Sequence, residues 1–116
     1  MRIRAARSFF VLLSVLFILT GCSDPLPEAR SDYAGEWRSS EMNLTILQNG
    51  TVFYKRIKGR TTVTVNGPIQ EFAGDNFTVG FWLFSTSFEV NEPPARHDGS
   101  WQMVVDGVRL TRIEKY

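Results

Sequence analysis

Met42-Asn43-Leu44-Thr45-Ile46-Leu47-Gln48-Asn49-Gly50-Thr51-Val52-Phe53-Tyr54-Lys55-Arg56-Ile57 is the run that decides the fold. Met42, Leu44 and Ile46 alternate with Asn43 and Thr45, a period of two. That period places one side of a strand in a core and the other in water. Asn49-Gly50 supplies two residues that accept positive φ, the strongest short signal for a hairpin turn. The return run from Thr51 to Ile57 is rich in β-branched and aromatic residues, which suit a pleated, half-buried surface. The stretch therefore predicts two antiparallel strands joined by a tight turn.

The same grammar continues outward. Thr61 to Val65 alternates Thr and Val, and Asn66-Gly67 marks another turn. Pro68 then precedes Ile69-Gln70-Glu71-Phe72, which reads as an edge strand. Gly74-Asp75-Asn76 turns into Phe77–Phe84, with Ser87–Val90 as its continuation. Pro93–Gly99 reads as a loop. Trp101–Val105, Asp106-Gly107 and Val108–Ile113 form a last hairpin, and no stretch after residue 21 has helical spacing. The expectation is an all-β domain, a small antiparallel meander of seven or eight strands. A barrel-like closure is favoured because sequential hairpins dominate and closure removes exposed edges. A β-sandwich is the alternative. Trp37 and Trp101 are expected as core anchors, each burying roughly 150–250 Å².

The chain begins differently. Arg2, Arg4 and Arg7 precede an apolar run from Phe9 to Leu19 that contains one hydroxyl, Ser14. Eleven helical residues span about 16 Å, roughly half a bilayer core, so the run is a secretory leader rather than a permanent span. It ends in Leu19-Thr20-Gly21-Cys22. This ending resembles the lipobox of bacterial lipoproteins, with Thr20 where that pattern usually carries Ala or Ser. The resemblance implies cleavage after Gly21, with Leu19, Thr20 and Gly21 read by the signal peptidase. It also implies a diacylglycerol on the Cys22 sulfur. Ser23 follows, where Asp would resemble an inner-membrane retention signal, so the resemblance favours the outer membrane, facing the periplasm. Cys22 is the only cysteine, which rules out an intramolecular disulfide.

Three segments follow: a leader over 1–21, a lipidated cysteine and flexible tether over 22–32, and a single β domain over 33–116. Pro25 and Pro27 and the lack of apolar periodicity support the tether. The leader holds three of the thirteen basic residues and none of the twelve acids. Residues 22–116 thus carry ten basic and twelve acidic side chains, a formal charge of −2. A near-neutral domain gives no global reason to expect a nucleic-acid partner. Tyr33-Ala34-Gly35-Glu36-Trp37 faintly resembles the Gly-x-Trp opening of lipocalin-like barrels. That likeness implies a carrier of a small apolar ligand as the alternative function.

The chemistry-bearing residues are few. His97, the only histidine, precedes Asp98 in a predicted loop, and no nucleophile motif accompanies the pair. A solvated loop histidine is the expectation, and with it no enzyme and no cofactor. Asp98-Gly99, Asp106-Gly107 and Gly74-Asp75-Asn76 lack the spacing of a calcium loop, so no metal is expected. Lys55, Arg56, Lys58 and Arg60 place four basic residues within six positions at a hairpin tip. Such a cluster either blunts an edge or contacts anionic headgroups or envelope sugars. Phe72, Phe77, Phe81, Trp82, Phe84 and Phe88 crowd seventeen residues. A strand that is apolar on both faces is either covered on both sides or displays Trp82 and Phe84 as a patch. The expected function is a binding or interaction module in the cell envelope, with an envelope protein as partner and the membrane reached through the lipid.

Overall fold

The computed structural model describes residues 24–81 and 83–114. Among them, nine strands form one antiparallel sheet that curls into a half-barrel. The strands are β1 Gly35–Arg38, β2 Met42–Ile46, β3 Thr51–Lys58, β4 Thr61–Ala73, β5 Asn76–Phe81, β6 Phe84–Phe88, β7 Val90–His97, β8 Ser100–Val105 and β9 Val108–Arg112. Their order is β6-β5-β4-β3-β2-β1-β9-β8-β7. Neighbours in sequence are neighbours in space, save that β1 pairs with β9 and β6 and β7 form the two edges. The meander is thus all-β and barrel-like, as its hairpin signals demand, and a single sheet replaces the two of a sandwich.

The central hairpin forms as its residues predict. Leu44 pairs with Tyr54 and Ile46 with Val52. Leu47 N donates to Thr51 O at 2.9 Å across the Asn49-Gly50 turn, where Gly50 has φ 89°. Met42, Leu44, Ile46, Val52 and Tyr54 share the concave face with Trp37, Phe77, Phe88, Met103 and Leu110. Trp37 is fully buried, and its Nε1 donates to Tyr33 O at 2.9 Å. Trp101 is only half-buried and packs under the Arg112 guanidinium, 4.9 Å from its ring centre.

Three elements depart from the sequence reading. Asn66-Gly67-Pro68 does not turn the chain; β4 runs straight through it for 13 residues. Its first half pairs with β3 up to Thr51↔Pro68, and its second half pairs with β5 from Ile69↔Val79. The strand changes partners at Pro68, whose missing N–H has nothing to give a ladder. The expected strand over 77–84 breaks instead into a hairpin, with Phe81 paired to Phe84. Gly80 permits the break. Its φ is 138°, and a Cβ there would collide with the Phe84 carbonyl oxygen. Pro93–Gly99 is mostly strand β7, an edge with register shifts, where prolines cost no ladder bond. These changes raise the strand number to nine.

The segment read as a flexible tether also differs over its described part, residues 24–32. Leu26 N donates to Gln48 O at 2.9 Å, and Glu28–Tyr33 forms a 3-10 turn. Tyr33 supplies the physical reason. It is buried edge-on to Phe72 and Phe77, with centroids 5.4 and 6.2 Å away, and its hydroxyl donates to Asp75 O at 2.8 Å. Arg30 lies over Phe72 at 5.2 Å and donates to Gly74 O. An aromatic anchor and a 3-10 turn closed by backbone hydrogen bonds hold this stretch where composition suggests a free chain.

Candidate functional site

The described residues divide into a packed end and a bare end. The bare end begins where the concave face runs past its core. Strand alternation places Phe77, Val79 and Phe81 of β5 on one face, and Phe84, Thr86 and Phe88 of β6 opposite them. Phe77, Val79 and Phe88 are buried, while Phe81 is 57% exposed and Phe84 82%. Leu83, beside them in the turn, is 74% exposed. Three large apolar side chains therefore stand in water at one hairpin tip. Trp82, which the sequence joins to this patch, lies outside the described residues.

A shallow groove of about 550 Å³ runs from this tip to β4 and is lined in part by Val65, Phe81, Leu83 and Phe84. Gly80 lines it, and Gly67 of β4 lies beside Gly80. A Cβ on Gly67 would sit 3.5 Å from Gly80 Cα. That is ordinary van der Waals contact, and the close backbone approach at this tip is the one between Gly80 and the Phe84 carbonyl.

The four basic residues lie on the neighbouring β3–β4 hairpin, and the sheet divides them. Arg56 shares the concave face with Tyr54 and reaches Glu41 at 3.6 Å. Lys55 points to the opposite face, across from Thr64. Lys58 pairs with Thr61 at the end of the ladder, and Arg60 follows Gly59 in the turn. One cation is spent on an acid, and the other three surround a tip. The cluster is a charged hairpin end, with no single cationic face.

His97 ends β7 and is exposed, opposite Ser100, and Asp98 takes φ 53° in the following turn. Among the described residues, no three His, Cys, Asp or Glu side chains gather closely enough to hold a metal ion. The lipobox residues Leu19, Thr20, Gly21 and Cys22 lie outside the described residues. Burial pushes the Tyr33 hydroxyl above the ordinary tyrosine pKa, with Asp75 adding to the rise and Arg30 opposing it. Burial likewise raises Tyr54, against the hydrogen bond and charge of Arg56. Both tyrosines are core groups holding a proton, and neither lies at the apolar tip.

Sequence reasoning found Phe84 but missed Leu83 and the break beside it. The missed signal was Gly80. A glycine inside an apolar strand marks a bend or a close backbone approach, and here it marks both. Compared with family models, curated proteins and solved structures, the chain matches none.

Proposed function

We propose that this chain is a bacterial lipoprotein, fixed to an envelope membrane through Cys22, whose β domain docks an envelope partner with its bare end. The exposure of Leu83 and Phe84, 74% and 82%, carries the docking half of this reading. Apolar side chains left in water at a defined tip mark an interaction site more often than a folding need. The leader, with Arg2, Arg4 and Arg7 before its apolar run and Leu19-Thr20-Gly21-Cys22 after it, supports the anchor. Ser23 favours the outer membrane, with the domain in the periplasm. In this reading the chain is no enzyme, uses no cofactor or metal, and binds no nucleic acid.

The ordered N-terminal stretch gives the reading a direction. Asp24 lies against Gly50, at the start of β3. Lys58 lies seven residues beyond Thr51, about 23 Å up the strand at roughly 3.3 Å per residue. Cys22 precedes Asp24 by two residues, a reach of about 7 Å. A lipid on Cys22 thus holds the Gly50 end at the bilayer and points Lys58 and Arg60 away from it. The basic hairpin then serves a partner surface better than the headgroups of its own membrane. Carriage of a small apolar ligand draws less support. Trp37, Leu44, Ile46, Val52, Met103 and Leu110, each at 0–1% exposure, fill the concave face themselves.

Two experiments separate the halves. A photo-crosslinking residue at Leu83 in intact cells should yield one discrete adduct that the same residue at Thr111, exposed on β9, does not give. Identical smears from both positions would remove the docking site. Cys22→Ser should release the protein from the membrane fraction. Retention there would remove the anchor and leave docking untouched.

A further inference from the structure

We infer that β6 pairs with β6 of a second copy of this chain, antiparallel and centred on Thr86. The strand reads Phe84-Ser85-Thr86-Ser87-Phe88, the same in both directions. An antiparallel two-fold pairing about Thr86 therefore sets Phe84 against the second copy's Phe88, Ser85 against its Ser87, and Thr86 against itself. A self-complementary strand is what a closed two-fold interface requires.

The edge is open in the right way. β6 is the last strand of the sheet and does not pair with β7. Phe84 through Ser87 are exposed. Phe81 and Phe84 close the hairpin with two residues between them, so they form a hydrogen-bonded pair. Alternation makes Val79↔Thr86 and Phe77↔Phe88 the next such pairs. The N–H and C=O groups of Ser85 and Ser87 then face outward. In the proposed register each Ser85 meets a Ser87, so the outward groups satisfy one another, and Thr86 sits at a close, non-bonded pair. The ladder and the register agree without adjustment.

The two edges of the sheet are built differently. β7 carries Glu92, Pro93, Pro94 and Arg96, and its register shifts twice. Charges, prolines and bulges are the ordinary guards against edge pairing. From Phe77 to Phe88 there is no charge and no proline. Self-pairing also covers one side of Phe84 and leaves Leu83 at the tip for an envelope partner. It requires neither the lipid nor that partner.

Cysteine cross-linking of the full chain carrying Cys22→Ser, so that the introduced thiol is its only one, tests the register. Thr86→Cys meets itself at a non-hydrogen-bonded pair, where Cα atoms lie about 4.5 Å apart, within disulfide range. Under mild oxidation it should give at least a ten-fold excess of covalent dimer over Ser85→Cys, whose counterpart is Ser87. Equal cross-linking at the two positions, or none at Thr86, would overturn the pairing. Charge complementation guards against a misfolded variant. Full chains bearing Thr86→Lys and Thr86→Glu, with different tags, should co-purify at least ten-fold more than two Thr86→Lys chains. Equal recovery would overturn the pairing as well.

Discussion

Around Trp37 and around Phe84 the chain uses the same residue classes to opposite ends. Both regions belong to tight antiparallel hairpins, and both place large apolar side chains on the concave face. Around Trp37, strands β1, β2, β8 and β9 and the Glu28–Tyr33 turn close over that face, and the core residues reach zero exposure. Around Phe84 the β5–β6 hairpin runs past its neighbours, and nothing described covers its end. An apolar residue stabilises a fold only when other elements converge on it. The same side chain beyond that convergence contributes surface.

This contrast orders the expected effects of substitution. Trp37→Ala is the largest. It empties a fully buried site and removes the Nε1 bond to Tyr33, so a loss of about 3–5 kcal/mol is expected in chemical denaturation. A loss under about 1 kcal/mol would show that the packed end is not the core. Tyr33→Phe comes next, at about 0.5–1.5 kcal/mol, because it removes one bond, to Asp75 O, and little volume. It also carries a pH signature. Folding raises the Tyr33 pKa, so the folded state favours the protonated hydroxyl. Stability is full below the ordinary tyrosine value near 10.0 and declines as pH climbs toward the raised folded value. Melting temperatures followed upward from pH 9 should fall less steeply in Tyr33→Phe than in the parent. Glu92→Gln is the smallest. Arg109 Nη2 donates to both carboxylate oxygens of Glu92, at 2.9 and 3.1 Å, but both side chains are half in water. A loss of about 0.2–1 kcal/mol that vanishes in high salt is expected.

The packed end was the legible one. The alternation through Met42, Leu44 and Ile46 and the Asn49-Gly50 turn can be read locally, because period and turn chemistry are properties of neighbouring residues. Trp37 was legible as an anchor for its size alone. What escaped depended on distant partners. Whether Asn66-Gly67-Pro68 turns or runs straight depends on β3 and β5 taking successive halves of β4. The order of residues 24–32 depends on Tyr33 finding Phe72 and Phe77 some forty residues away. Pro93 and Pro94 read as loop formers until the sheet order makes β7 an edge. At the bare end, Phe84 was legible as an apolar excess, but the sequence left open whether it lay under cover. The answer required the β5–β6 break at Gly80.

Equilibrium urea unfolding of the full chain carrying Leu83→Ser and Phe84→Ser, at a concentration where parent and variant are both monomeric, tests the division most directly. If the tip is surface, the unfolding free energy stays within about 0.5 kcal/mol of the parent, as for substitutions away from any packed feature. A loss near 3 kcal/mol, of the size that emptying a core site causes, would place these side chains in the core and contradict a bare end.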